Sequence, residues 1–392
     1  MLRAKMLAII SELNEEIAER MEVIECIAIA LLTRKNQFSL GDTGQGKSYT
    51  INKFRKRITG ARQFERLLSK QTDEEALFGR IDLKSLIDGN PQMITTGKIP
   101  DSHIVFLDEL FKCNDGVLNS LLTALNERRY TNEGEVIEIP VISFMGADNK
   151  VPDFYNPDES LLRPLYDRFE LKVVTQYIRN RETRLRMLAR KQNIQTEQNA
   201  ATITLDELHS MQSEVAAIAV PKEINELVDD IMCELRGLGI HVSDRKFLNF
   251  YPIAQAKAWL CGRDTVKNTD LSVLKYYFWS KPEEIPVIQQ VLDKFCLSPL
   301  QEELREAISA ADEISRDFDA NVKANPSKAM LKLRGELVHL YRMLIKLEAD
   351  TPDTEGKSAV AKSMDELEGI SKEAHKECGF TYAPLSELHK LL

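Results

Sequence analysis

Eight consecutive residues, Gly41-Asp42-Thr43-Gly44-Gln45-Gly46-Lys47-Ser48, fit the pattern G-x-x-x-x-G-K-[ST] without a gap. Residues of these types in this order can cradle a phosphate. The glycines let the backbone curl so that several N–H groups converge on one anion. A helix starting where the loop ends adds its partial positive charge. Lys47 would reach the β- and γ-phosphates of a nucleotide and the Ser48 hydroxyl would hold Mg²⁺, with Tyr49 next to them in the first helical turn. The bland alternative is a glycine-rich turn before an ordinary helix. A second cluster weighs against it. Ile104-Val105-Phe106-Leu107 is followed by Asp108 and Glu109, about sixty residues past the loop. Four apolar residues in a row read as a buried parallel strand, and ligands bind at the carboxyl ends of such strands. There Asp108 would coordinate Mg²⁺ through water, and Glu109 would orient and deprotonate an attacking water. Acidic pairs after surface strands are common and inert; this pair takes its meaning from the buried run and from the loop before it.

The elements that must position these groups are legible in outline. Residues 1–36 read as helix, with apolar positions at Leu7, Ile10, Leu13 and Ile17 continuing through Met21, Ile24 and Ala28. Between 37 and 175, strand candidates at 37–40, 62–68, 103–107, 139–147 and 170–174 alternate with helices, which predicts a parallel sheet covered on both faces. From about 177 the strand signal stops. Helical patterns occupy 177–193, 205–214, 221–238, 243–261 and 268–278. Beyond 286 the chain is helical and highly charged, with apolar stripes through Leu304, Ile308 and Phe318, through Leu333, Leu337 and Leu344, and through Met364, Leu367 and Ile370. A polar hinge at 350–356 separates the second stripe from the third. These stripes suit either a protruding stalk or a compact bundle. The expected division is therefore an α/β core over 1–176, an all-α lid over 177–296 and a helical extension over 297–392.

Bulk properties narrow the function classes. The chain of 392 residues is 43% hydrophobic and 29% charged, an ordinary composition for a soluble protein. Its net charge of −9 argues against broad electrostatic binding of nucleic acid. The apolar patch Cys26–Leu32 is too short to span a bilayer, and acidic residues precede it, so no membrane span or signal peptide is expected. Six scattered cysteines without C-x-x-C spacing read as reduced thiols of a cytoplasmic protein, and no histidine pair has zinc-ligand spacing.

Ile104–Leu110 running into Leu118-Asn119-Ser120-Leu121-Leu122-Thr123-Ala124-Leu125-Asn126-Glu127-Arg128 resembles the MoxR family of AAA+ ATPases. Within that family the nearest likeness is to the RavA branch. The resemblance continues through Glu75–Gly79, Thr95-Thr96-Gly97, Tyr166-Asp167-Arg168-Phe169 and Val242-Ser243-Asp244-Arg245, so it covers roughly residues 15–295 with the motifs in order. It implies an AAA+ P-loop core with an all-α lid, binding ATP or ADP with Mg²⁺. It implies further roles residue by residue. Asn149, after an apolar strand, matches sensor 1 and would hold the attacking water with Glu109. Arg168 matches the arginine finger that reaches the γ-phosphate of a neighbouring subunit, with Arg163 as its rival. Arg245 matches sensor 2 of the lid, expected to act on the nucleotide of its own chain. Members of that branch carry an aromatic residue where Ala18 stands, so base stacking at that position is absent here. No guanine-reading pattern follows the core strands, which favours ATP over GTP. The branch also carries a β-rich insertion among its C-terminal helices that grips a partner enzyme, and 297–378 shows no strand-rich stretch.

The resemblance thus implies an ATP-hydrolysing homo-oligomeric ring, a hexamer by family habit, that remodels or activates a partner protein, by the same habit one with a von Willebrand A (vWA) domain. Two competitors remain. A nucleic-acid motor would want a basic, aromatic pore loop, whereas Arg80, Lys84, Asp88 and Lys98 between the second and third strands are mixed in charge. A nucleotide-gated scaffold would tolerate loss of Lys47, Asp108, Glu109 and Arg168, all of which are present.

Overall fold

The computed structural model describes residues 2–89, 92–132, 135–192, 200–297, 299–351 and 354–390. The chain folds as two compact units, Met1–Phe295 and Cys296–Leu392.

The first unit is built on five parallel strands: β1 (Gln37–Leu40), β2 (Gln63–Leu67), β3 (Ile104–Asp108), β4 (Ser143–Asp148) and β5 (Leu171–Val174). Their order across the sheet is β5-β1-β4-β3-β2. β1, β3 and β4 are buried almost throughout, as strands covered on both faces must be. The register matters most. Leu40 pairs with Asp148 on one side and Val174 on the other, and Asp108 pairs with Ala147. Three strands therefore end level. The residues that follow them, Gly41, Glu109 and Asn149, are delivered to one edge of the sheet. β4 begins later than the expected 139, because Ile139 and Ile142 are spent on hydrogen bonds to Arg128 and His103 before the ladder starts.

The amino-terminal helix is not continuous. It breaks into Leu2–Glu16 and Met21–Thr33, and Glu19 between them takes a positive φ of 51°. Apolar periodicity runs through the break because Ile17 and Ala18 are buried as well, so nothing in the pattern announces it. The expected 243–261 helix also divides, into Asp244–Leu248 and Tyr251–Leu260, with Pro252 in the first turn of the second piece. Two short hairpins, Arg80–Ile81 with Met93–Ile94 and Arg129–Asn132 with Glu135–Glu138, have no counterpart in the sequence reading.

In the second unit, helices Pro299–Asn321, Pro326–Asp350 and Thr354–Cys378 turn their stripes to one another. Leu304, Phe318, Leu333, Leu337, Leu344 and Leu367 share one core. The polar hinge expected at 350–356 falls partly outside the described residues, at Pro352 and Asp353. Among the described residues no helix is long and apolar enough to cross a membrane.

Candidate nucleotide-binding and hydrolysis site

Between β1 and helix Lys47–Arg55 the chain makes the tight loop that its glycines allow. Gly44 and Gly46 take φ of 85° and 76°, a region closed to most side chains. A Cβ on Gly41 would stand 2.1 Å from Thr175 Oγ1 and 2.2 Å from Gln45 Oε1, so close approach of loop and β5 also requires glycine there. The Gly41 N–H donates to the Asp148 carbonyl at 3.1 Å, fastening the loop to the end of β4.

Lys47 is 8% exposed and folds back over the loop, donating to the carbonyls of Gly41 and Asp42. Burial lowers its pKa, opposed by the charges of Asp108, Asp148 and Asp42. A desolvated cation that hydrogen-bonds loop carbonyls, with carboxylates nearby, is suited to pair with a phosphate. The Ser48 hydroxyl donates to Asp108 Oδ2 at 2.7 Å, joining the loop to the acidic pair across sixty residues of sequence. A serine hydroxyl touching a carboxylate at the end of a buried strand is a donor set that fits Mg²⁺, a hard oxygen-seeking cation that keeps several waters. Among the described residues there is no cluster of three or more His, Cys, Asp or Glu that would hold a metal without a nucleotide.

Glu109 has φ 52° and ψ 49°, a left-handed conformation uncommon for a side chain of its size. The turn is pinned from β4. Asp148 Oδ2 accepts the Phe111 N–H at 2.9 Å and Asp148 Oδ1 accepts the Asn149 N–H at 2.7 Å. Burial raises the Asp148 pKa, and the N–H groups of Phe111, Asn149 and Lys150 counter that rise. Asp148 thus fixes the backbone of the turn two residues beyond Glu109 and that of Asn149. The sequence reading passed over it, although its place at the end of an apolar strand was visible. The Phe111 ring packs 5.3 Å from Phe38 on β1, which adds an apolar anchor to the same turn. Asn149 lines a cavity of about 460 Å³ with Gly41, Asp42, Gln45, Thr175 and Tyr177. Tyr49 does not join them: its hydroxyl donates to Glu16 at 3.0 Å on the first helix.

The two remaining arginines lie elsewhere. Helix Asp115–Glu127 starts beyond the Glu109 turn and runs back to the amino ends of the strands. There Asn36, just before β1, donates to the carbonyls of Leu125 and Arg168 at 3.5 and 2.9 Å. Arg245 donates to Asn126 Oδ1 at 3.2 Å, at that same edge. Four strand residues at about 3.3 Å each separate this edge from the phosphate loop. In this structure Arg245 thus lies at the edge opposite its own phosphate loop, away from the place its expected role on that nucleotide requires. The lid carries it to the far end of the sheet because the following segment anchors there: the Trp279 indole donates to the Lys172 carbonyl on β5 at 3.2 Å. Arg168 is its neighbour. Burial lowers the pKa of Arg168, and the positive charge of Arg245 lowers it further. Arg168 Nε is buried with no hydrogen-bond partner among the described residues. Arg163 instead rests against the Phe154 ring at 6.0 Å.

A family profile for the MoxR domain of MoxR–vWA–β-propeller ternary systems matches residues 4–213, more than half the chain. This protein belongs to the MoxR family of AAA+ ATPases. An AAA lid profile matches residues 223–292 of this MoxR protein. Among its relatives is an uncharacterized protein of Methanocaldococcus jannaschii, 30% identical over 382 residues, covering 92% of this chain and 96% of that protein. A second uncharacterized protein of the same organism is 33% identical over 279 residues, covering 70% and 71%. A crystal structure of a provisionally assigned ATPase from Cytophaga hutchinsonii superposes with a TM-score of 0.60 over 75% of this chain and 94% of that one, at 17% identity. The last likeness shows the AAA+ fold: a five-stranded parallel sheet flanked by helices and followed by a mainly helical lid; the expected all-α character of 177–296 is broken by the short strand Ile203–Thr204, which pairs with Ile58–Thr59.

Proposed function

We propose that this MoxR protein hydrolyses ATP at the interfaces of a homo-oligomeric ring and uses the cycle to remodel or activate a partner protein. The observation that carries the reading is the meeting of Ser48 with Asp108 on the edge that also holds Lys47, Glu109 and Asn149. In this reading the loop at 41–48 binds the phosphates and Lys47 neutralises their charge. Ser48 and Asp108 hold Mg²⁺, which when bound offsets the developing charge on the phosphate oxygens. Glu109 takes a proton from the attacking water, and Asn149 fixes that water's direction. Residues 1–176 serve as the nucleotide-binding core, 177–296 as the lid and 297–392 as a helical extension.

Arg168 and Arg245 complete a neighbour's site in this reading. Among the described residues neither of these two adjacent cations makes a direct ion pair, although Asp167 and Glu170 act on Arg168 from nearby, and an incoming triphosphate would add negative charge at that edge. Hexameric closure follows family habit. The matched profile describes systems with a vWA component, which supports a partner carrying that domain. A kinship with the RavA branch, without its β-rich insertion, is consistent with the helical second unit, where the described residues contain no strand. A cytoplasmic location fits six free cysteines.

The test is Glu109→Gln in the full-length chain. It should bind ATP and assemble as the parent does while turnover falls by about a hundredfold or more. Parental turnover in that variant would remove Glu109 from the chemistry and with it this assignment of the site.

A further inference from the structure

The turn that breaks the amino-terminal helix lies against the back of the phosphate loop. Arg20 in this turn is 6% exposed. Its Nε and Nη2 donate to the Gln45 carbonyl at 3.1 and 2.7 Å, and Nη2 also donates to the Gln176 carbonyl at 2.8 Å. Nη1 is satisfied by the Glu19 carbonyl at 2.7 Å. Gln45 immediately precedes Gly46 and Lys47. Gln176 begins the stretch that leads from β5 into helix Arg181–Gln192, the start of the lid in the proposed division of the chain. One planar guanidinium thus ties the phosphate loop to the first residues of the lid linker. Glu19 grips the same linker further on: its carboxylate accepts the Arg179 N–H at 2.9 Å and the Asn180 N–H at 3.1 Å. The Gln45 side chain doubles the connection by accepting the Thr175 hydroxyl at 2.7 Å.

Each of these partners of Arg20 is a carbonyl dipole. Burial lowers the Arg20 pKa against the opposing charge of Glu19, and Lys47 feels the repulsion of Arg20. The fork geometry cannot be reproduced by an ammonium, which presents a point charge instead of five fixed donors. With Arg245 at the far edge of the sheet, this joint is hydrogen-bonded directly to both loop and linker within one chain.

We propose that Arg20 is a positioning residue that sets the Gln45 peptide for phosphate binding, and that Glu19 and Arg20 together couple occupancy of the phosphate loop to the lid linker at 176–180 of the same subunit. The proposal rests on the loop being the ATP site. Movement of the Gln45 peptide on nucleotide binding pulls on the Gln176 carbonyl through Arg20. Glu19, the next residue in the chain, transmits the displacement to the amides of Arg179 and Asn180. This gives the lid a signal from its own nucleotide without a lid arginine at the phosphates.

The experiment uses the full-length protein, a fluorescent ATP analogue and hydrogen exchange read at residues 176–181. Arg20→Lys should raise the dissociation constant about tenfold or more, the effect of losing charge-assisted bonds, while leaving the thermal midpoint of the nucleotide-free protein near the parent's. Arg20→Gly should lose affinity similarly and regain it with millimolar guanidinium ion, a rescue that a general loss of folding would not show. Glu19→Gln should keep nucleotide affinity within about threefold, yet lose the nucleotide-induced slowing of exchange at Arg179 and Asn180. Parental affinity in Arg20→Lys, or unchanged protection in Glu19→Gln, overturns the joint. Lys47→Ala separates this from the underlying reading. If it too binds the analogue normally, the loop is not the ATP site and both ideas fall together.

Discussion

Replacing Asp148 should separate catalysis from nucleotide binding. Asp148 is 5% exposed, and its carboxylate accepts the backbone N–H groups of Phe111 at 2.9 Å and of Asn149 at 2.7 Å. In Asp148→Ala both N–H groups lose their acceptor inside the protein. Each such loss costs about 1–3 kcal/mol, and relief from burying the carboxylate returns part of it, so a net destabilisation of about 2–4 kcal/mol is expected. The kinetic consequence is more specific. The freed Phe111 amide lets the turn relax, and Glu109 with its positive φ has the most to gain from relaxing. Displacement of a general base by about 1 Å can cost a hundredfold in rate. The phosphate loop is held to the same residue through the Asp148 backbone carbonyl, which accepts the Gly41 N–H and survives the substitution. Steady-state ATPase assays should therefore show kcat lowered about a hundredfold, while nucleotide affinity by fluorescence titration changes less than about threefold. Asp148→Asn keeps one acceptor oxygen and should fall between the two. Loss of affinity in proportion to kcat, or full kcat with lowered stability, would refute the idea that this side chain acts by holding the Glu109 turn.

Gly146→Ala places a methyl 2.9 Å from Phe169 Cε1 and 3.1 Å from Leu110 Cδ2, so overpacking of about 1–3 kcal/mol should appear as a lower midpoint in urea unfolding. Mixing Arg168→Ala with Lys47→Ala should restore part of the ATPase activity each lacks alone, because one contributes an intact loop and the other intact arginines; additive inactivity would count against a shared site. Lys246 is pushed down to about 8 from 10.5, chiefly by burial, among Lys172, Asp167, Glu170 and Glu284. The folded state therefore releases this proton before the unfolded chain does, and the penalty for the charged form is full below pH 8 and fades as pH rises towards 10.5. Lys246→Met should accordingly gain stability at pH 7, by at most about 3 kcal/mol, with the gain shrinking across that window in thermal melts. In the second unit Leu337 is fully buried, so Leu337→Ala should cost about 2–5 kcal/mol in that unit's unfolding and leave nucleotide affinity as it was.

What could be read directly was local in sequence or strongly periodic. The loop at 41–48 carries its own conformational demand in its glycines. The four apolar residues before Asp108 announce a strand buried on both faces, and the even alternation of strands and helices announces a parallel sheet. Asn149 was reached through the resemblance to the MoxR family, which places a polar sensor at the end of this apolar strand; from the residues alone it also reads as a turn-forming asparagine. Asp148 was harder, since its two partners lie on a turn that only the pairing of β3 with β4 brings alongside.

The sequence by itself therefore determined that a phosphate loop and an acidic pair exist, and that a parallel sheet carries them. Adjacent residues cannot avoid sharing one loop, and a buried strand cannot be built from polar ones. Only the tertiary structure decided which distant groups complete the site. It broke the first helix at Glu19 and turned Arg20 onto carbonyls 25 and 156 residues away. It carried Arg245 to Asn126 and away from its own loop. Such contacts depend on how the lid and the leading helices pack on the sheet. Packing is settled by the sum of many buried surfaces, so no spacing within the chain encodes it.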